Sequence, residues 1–382
     1  MSHSALAETG RQIAEQVAAA HADEVDANAR FPKESIEALR AEKMMGALIP
    51  SELGGLGASL DDVGEAITEL GRHCASSAMV FAMHQIQVAC LVRHGRSPFL
   101  RSFLRRVADE QLLLASATTE IGIGGNTRMS SCAVEPVADG FRLRKQAPVI
   151  SYGQYADAVL VTARKSPDSA SNDQVLVVCP SPDLVLSETS GWDTMGFRGT
   201  CSLGFLLEAT GPMSHILDDP YADISARTML PVSHIVWTSL WLGIAQGAET
   251  KARSYIQAEA RKKAGTMPPG ALRLAELHSM LQQLAESVRG LRRHYVEVAD
   301  DEDETTSIGF AVQMNTLKVS ASTLVVDIVG RAMLICGISG YRHDSQYSLA
   351  RALRDAYGAA LMVNNDRINN NNAQLLLVQR GH

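Results

Sequence analysis

The hydrophobic period changes twice along this chain, and each change narrows what it can fold into. Up to about residue 113 apolar residues recur at helical spacing, as with Ile36, Leu39 and Met44 in "SIEALRAEKMMG". Gly46 is placed to stop that helix. "LIPSELGGLGASLDD" then reads as a Pro/Gly turn with a fresh helix beginning near Leu60. "SSAMVFAMHQIQVACLVRHG" carries a mostly apolar helix as far as Gly95 and Pro98. Next come short apolar or alternating runs: "QLLLASA", "SSCAVEPV", "FRLRKQAPVI", "DAVLVTAR", "QVLVVCP", "DLVLSE" and "SLGFLLEA". Turn residues separate them, as in an antiparallel sheet or barrel. From about Asp223 helical spacing returns over 232–263, 270–299, 306–336 and 346–378, broken by "AGTMPPG", "DDEDETT" and "CGISGYRHD". Long helices with short connections suggest an antiparallel bundle. The expected architecture is α+β: an N-terminal α-helical domain (1–113), a central antiparallel β domain (114–222) and a C-terminal four-helix bundle (223–382).

At 382 residues the chain exceeds one typical domain. The stretch from Thr228 to Ala248 has no formal charge and could imitate a membrane span. It also holds Pro231, Ser233, His234, Thr238, Ser239 and Gln246, so a buried core helix is expected and no membrane span. The N-terminal "MSHSALAETGRQIAEQ" is polar and amphipathic, unlike a signal peptide. The six cysteines are scattered, with no CxxC pair and no histidine at zinc spacing. They read as reduced thiols, so no metal site is expected and the expected setting is cytoplasmic. A net charge of −7 provides no general basic surface, and nucleic acid is not an expected partner. The acidic run Asp300–Glu304 reads as a solvated loop.

Seven strings in order are similar to those of one family. "FPKESIEALRAEKMMGALIPSELGGLGASL", "TTEIGIGGN", "VISYGQYADAVLVTAR", "MGFRGTCS", "LWLGIAQGAETKAR", "ICGISGY" and "RALRDA" resemble the acyl-CoA dehydrogenases over nearly the whole chain. The resemblance implies an α-helical domain, a small β domain and a four-helix bundle. It also implies FAD, an acyl thioester carried on CoA or a carrier protein, an electron-transfer partner, and usually a homotetramer.

On its own residues "TTEIGIGGN" is a turn whose glycines permit positive φ and close backbone approach to a ligand. By resemblance Thr118, Thr119, Gly124 and Gly125 fall on the family's first FAD-contact segment, with Gly125 where a serine is common. In "VISYG", Val149 stands where the family often has a tryptophan, and Ser151 keeps a hydroxyl for the flavin. "ICGISGY" resembles the loop that reaches a neighbouring subunit's FAD: Gly337 and Gly340 fit, while Leu334 and Ile338 depart from the pattern. Arg261 resembles an arginine that contacts the same cofactor, two residues out of register. Each FAD site would then need two chains, so a homo-oligomer (dimer or tetramer) is expected.

The family's catalytic glutamate lies nine residues after the arginine of its Arg-Asp pair, here Arg354-Asp355, and that position is Val363. The alternative position for the base, at the start of the first bundle helix, falls at Ser233. His234, beside it, is the nearest group able to act as a base near neutral pH. His84 lies in another apolar helix, and flavin monooxygenases sharing this fold use histidines and lack the glutamate. The first reading is an FAD-dependent α,β-dehydrogenation of an acyl thioester; the alternatives are a two-component flavin monooxygenase using oxygen and a non-catalytic flavin-binding protein. Asn364 and Asn365, at the head of "NNDRINNNN", lie where the family's chain passes the flavin and are expected to offer it amide hydrogen bonds.

Overall fold

A computed structural model of the chain describes residues 5–123, 126–262 and 265–379. Its N-terminal helices are α1 (Ala5–Ile13), α2 (Ala19–Ala27), α3 (Lys33–Ala41), α4 (Leu60–His73), α5 (Ala75–His94) and α6 (Pro98–Glu110). Local chemistry sets their ends. Ser59 and Asp62 form a reciprocal capping box at the start of α4, and Ser97 caps α6 with Pro98 in its first turn. Gly46 does not stop α3. That helix ends at Ala41 with Lys43 in a left-handed turn (φ 57°). Gly46 follows in a 3₁₀ turn, where a Cβ would come within 3.3 Å of Ala108 on α6; its smallness serves packing.

The strands are β1 (Leu114–Ala117), β2 (Glu135–Val137), β3 (Gly140–Ile150), β4 (Ala158–Arg164), β5 (Gln174–Pro180), β6 (Leu184–Ser190) and β7 (Leu203–Gly211). They form two sheets, ordered β1-β4-β5 and β2-β3-β7-β6, rather than one sheet or a barrel. All pairs are antiparallel except β1–β4, which runs parallel from Leu114↔Ala158 to Ala117↔Val161. The chain leaves β1 for the second sheet before returning as β4, and such a crossover permits parallel pairing.

The C-terminal helices are α7 (Tyr221–Ile224), α8 (Leu230–Lys262), α9 (Ala271–Val298), α10 (Glu302–Thr305), α11 (Ile308–Cys336), α12 (Ile338–Tyr341), α13 (Ala350–Gly358) and α14 (Asn365–Val378). A π turn at Ser225–Met229 leads into α8, next to Pro231, which has no N–H to give a regular helix. The acidic run is not all loop, since Asp301 caps the short α10. The tail expected as one helix over 346–378 is two, because Val363 turns left-handed (φ 44°). The Asn364 side chain then accepts from the Asp366 N–H and starts α14.

Helices α4 and α8 meet backbone to backbone. A Cβ on Gly243 would lie 2.2 Å from the Thr68 carbonyl oxygen, and one on Gly71 would lie 2.7 Å from that of Leu240. The Thr68 hydroxyl donates across the crossing to the Ser239 carbonyl (3.0 Å). Among the described residues, three helical stretches are long and apolar enough to cross a membrane: α5, Tyr221–Lys262 and α11. The apolar windows of the first two are 89% and 94% buried inside the fold, whereas that of α11 is only 44% buried.

Candidate functional site

Where the two sheets meet the helices, a cavity of about 530 Å³ opens. Its walls come from α5 (Met79, Met83), the end of β1 and its loop (Ser116, Thr118, Thr119), and the end of β3 (Val149, Ser151). The segment 192–202, Trp237 of α8, and Arg354 to Val363 complete it. A smaller chamber of about 120 Å³ adjoins it and shares Met83, Ser116, Thr118, Trp237 and Val363. His234, Ser233 and Gln87 line only the smaller one.

One wall of the large cavity is a row of hydroxyls. Ser151 Oγ lies 2.9 Å from Ser202 Oγ, which is 2.7 Å from Thr200 Oγ1, itself 2.8 Å from the Phe197 carbonyl. Trp192 Nε1 also donates to that carbonyl (3.0 Å), so it is satisfied without Thr200. Ser202 donates to Ser151, so Ser151 keeps its own proton and a second lone pair to present to a ligand. Thr119 donates to the Val149 carbonyl at 3.4 Å, joining the two hydroxyl-bearing segments.

The loop carrying Thr118 and Thr119 is held by an ion pair that reading the sequence missed. Glu120 is buried and accepts from Ser130 Oγ (2.7 Å), the Ser131 N–H (3.1 Å) and the Cys132 N–H (2.8 Å). Lys145, fully buried, stands 3.7 Å from it and donates to both oxygens of Thr162. The signal was there: β3 alternates from Phe141 to Ala147, and Lys145 occupies an inward position with Phe141, Leu143 and Ala147.

The opposite wall depends on Asp355. Its carboxylate accepts the Phe197 N–H at 2.6 Å and fixes the left-handed turn there (φ 50°). Burial pushes its pKa up to about 6, against the pull of that hydrogen bond. Arg354 is paired with Asp26 and donates to the Met195 carbonyl, so its charge is already engaged.

Thr118, Thr119, Ser151 and Val363 thus come together around one cavity. Gly124 and Gly125 lie outside the described residues. Arg261 is exposed in the last turn of α8, and Gly337 ends α11 with φ 57°; neither lines the cavity of this protomer. Asn364 and Asn365 do not face it either. Asn364 is spent on the cap of α14, and Asn365 accepts from Lys318 Nζ (2.7 Å) and donates to Ser322 (2.9 Å). Lys318 also donates to the Val363 carbonyl (3.1 Å), and burial lowers its pKa to about 8.

The two histidines differ. His84 bridges α5 to its neighbours: Nε2–H donates to the Met45 carbonyl (2.8 Å), and Nδ1 accepts the Leu114 N–H (3.0 Å). Both ring nitrogens are used, and it lines neither cavity. His234 donates from Nδ1 to the Met314 carbonyl (3.0 Å), which leaves Nε2 as the nitrogen available to a ligand in the small chamber. Burial lowers both pKa values to about 4, so both rings are neutral near pH 7.

Residues 1–111 match the family model described as the acyl-CoA dehydrogenase N-terminal domain, and residues 225–362 match that of the C-terminal domain. The chain is 26% identical over 354 residues to cyclohex-1-ene-1-carbonyl-CoA dehydrogenase of Geobacter metallireducens, covering 91% of this chain and 90% of that one. Its fold matches FMN-bound TdsC, a dibenzothiophene monooxygenase of Paenibacillus sp. A11-2, with a TM-score of 0.85 at 22% identity, over 99% and 98% of the two chains. It also matches butyryl-CoA dehydrogenase of Megasphaera elsdenii, with a TM-score of 0.80 at 20% identity, over 97% of each chain.

Proposed function

Because the chain belongs to the acyl-CoA dehydrogenase family, we propose that it is a flavin-dependent oxidoreductase, and that it works as a monooxygenase. One observation carries the finer reading: among the described residues lining the two cavities there is no Asp or Glu. Removing an α-proton from an acyl thioester calls for a positioned base. Val363 stands at the family's position, and a histidine with a pKa near 4 is a weak substitute. Oxygen transfer needs no carboxylate; it needs a closed, mostly apolar pocket that keeps water from the reacting centre.

The residues suit a flavin ring. The large cavity is roomy and largely apolar, with Ser151 and Thr119 on one wall and the buried, unpartnered Trp237 Nε1 on another. A flavin bound there supplies two electrons and, once reduced, activates dioxygen. Ser151 orients the ring through a hydrogen bond of either polarity. Met79 and Met83 provide a soft apolar face, and Phe197 and Trp192 exclude water. We take the cofactor to be FAD, and Gly337 of a neighbouring copy would help to hold it. TdsC, in its FMN-bound form, makes FMN the outcome that would correct this.

A second reading is dehydrogenation of an acyl thioester on CoA or a carrier protein, with an electron-transfer partner. The enzyme names among its sequence relatives support it, with His234 as base. Two measurements decide between the readings. Under the monooxygenase reading, acyl thioesters leave the bound flavin oxidised in anaerobic single turnover, and oxygen uptake coupled to substrate appears only with a flavin reductase. Anaerobic bleaching by an acyl thioester, lost by about 10²–10⁴-fold in His234→Ala, would replace it with dehydrogenation.

A further inference from the structure

The small chamber behind the cavity has a chemistry of its own. Gln87 is 2% exposed, and its Oε1 has no hydrogen-bond partner; its Nε2 reaches only the Met83 carbonyl at 3.5 Å. Trp237, on the boundary between the cavities, has a buried Nε1 that is also unpartnered. His234 has Nδ1 committed to Met314, so the nitrogen it can offer the chamber is an acceptor. Ile86, Met229 and Leu230 add apolar wall, and Ser116, Thr118, Thr127, Tyr221, Ser225 and Ser233 add hydroxyls, so Gln87 and Trp237 stand out as the groups left unpaired. A buried acceptor left unpaired costs more than an apolar replacement would, so one that persists beside a cavity calls for a ligand to pair it.

Resting on the reading of these cavities as the active site, we propose that the chamber admits a small ligand segment that donates a hydrogen bond to Gln87. The segment is a hydroxyl, or a ring N–H, on an otherwise apolar body. A hydroxyl can donate to Gln87 or His234 and accept from Trp237, whereas a ketone or ether leaves the acceptors unpaired. About 120 Å³ has room for one small ring and not for a long chain. The chamber thus selects a compact hydroxylated or N–H-bearing substrate over a linear hydrocarbon one.

The test uses two probes of near-equal size, phenol and fluorobenzene, titrated by calorimetry into the purified protein. Phenol should bind about tenfold more tightly, the size of effect expected for one buried hydrogen bond. Gln87→Leu should erase that preference or reverse it, while Gln87→Glu, which keeps an acceptor, should retain it. Equal affinities in the wild type, no binding of either probe at millimolar concentration, or an undiminished preference in Gln87→Leu would overturn the proposal. Flavin content and turnover are separate readouts. A protein that binds no flavin yet prefers phenol loses the functional reading alone; one that turns over but is indifferent to the hydroxyl loses only this inference.

Discussion

His84 and His234 are buried imidazoles held neutral, and that has a cost in acid. In the unfolded chain each takes a proton near its ordinary value of about 6.5. In the folded chain it does so only near 4. Between those values the unfolded state binds more protons, so stability is present above pH 6.5 and is lost as the pH falls towards 4, by about 3 kcal/mol for each histidine. Asp355 works in the opposite sense: its folded pKa is raised to about 6, so acid relieves a buried charge and offsets roughly one of the two histidines. Urea midpoints should therefore drop between pH 6.5 and 4, and His84→Gln should flatten the slope. At the cavity, Ser151→Ala should weaken flavin binding by about threefold to tenfold, one hydrogen bond's worth. Equilibrium dialysis with FAD checks it, and an unchanged affinity would remove Ser151 from the cofactor site.

Among the elements, the loop from Thr118 to Cys132 shows what the sequence displayed and what it hid. Its ends are tied by Glu120, whose partner Lys145 comes from the middle of β3. Removing one partner of a buried ion pair costs about 3–5 kcal/mol, because the other charge is stranded. Glu120→Gln should lower the melting temperature and cost flavin binding at temperatures where the protein is still folded; circular dichroism with flavin fluorescence separates the two. The helix–strand–helix order was legible, since periodicity carries it, and local strings brought Thr118, Ser151 and Val363 to notice, which the fold gathers round one cavity. The split of the tail into α13 and α14 was not, because a left-handed valine has no local signature. The asparagine run was likewise opaque. Its purpose lies on α11, where Asn315 donates to the buried Asn372 (2.8 Å) and Lys318 and Ser322 meet Asn365. Those pairings depend on a helix some fifty residues away in the chain, which spacing alone does not reveal.

For the molecule as a whole, α11 and the turn after it leave apolar surface uncovered: Leu334, Ile338 and Tyr341 are 68%, 72% and 70% exposed. Leu376, Leu377 and Val378 at the end of α14 are exposed as well. Surface of this kind marks an interface, and the proposed occupant is a second copy of the chain. Light scattering at micromolar concentration should give a multiple of the 41.1 kDa chain mass, and Ile338→Asp should shift it downwards. A wild-type monomer that still held FAD would refute a cofactor site shared between copies. The glycine-lined crossing of α4 and α8 has a different bearing, on how the chain comes apart. Gly71 and Gly243 let helices from opposite halves of the sequence touch at their backbones, and a larger side chain at either would meet a carbonyl. Helices so joined cannot melt separately without exposing that seam. Calorimetry should therefore show the N-terminal and C-terminal helices unfolding in one cooperative transition, as a single domain does, and Gly243→Val should split the transition in two.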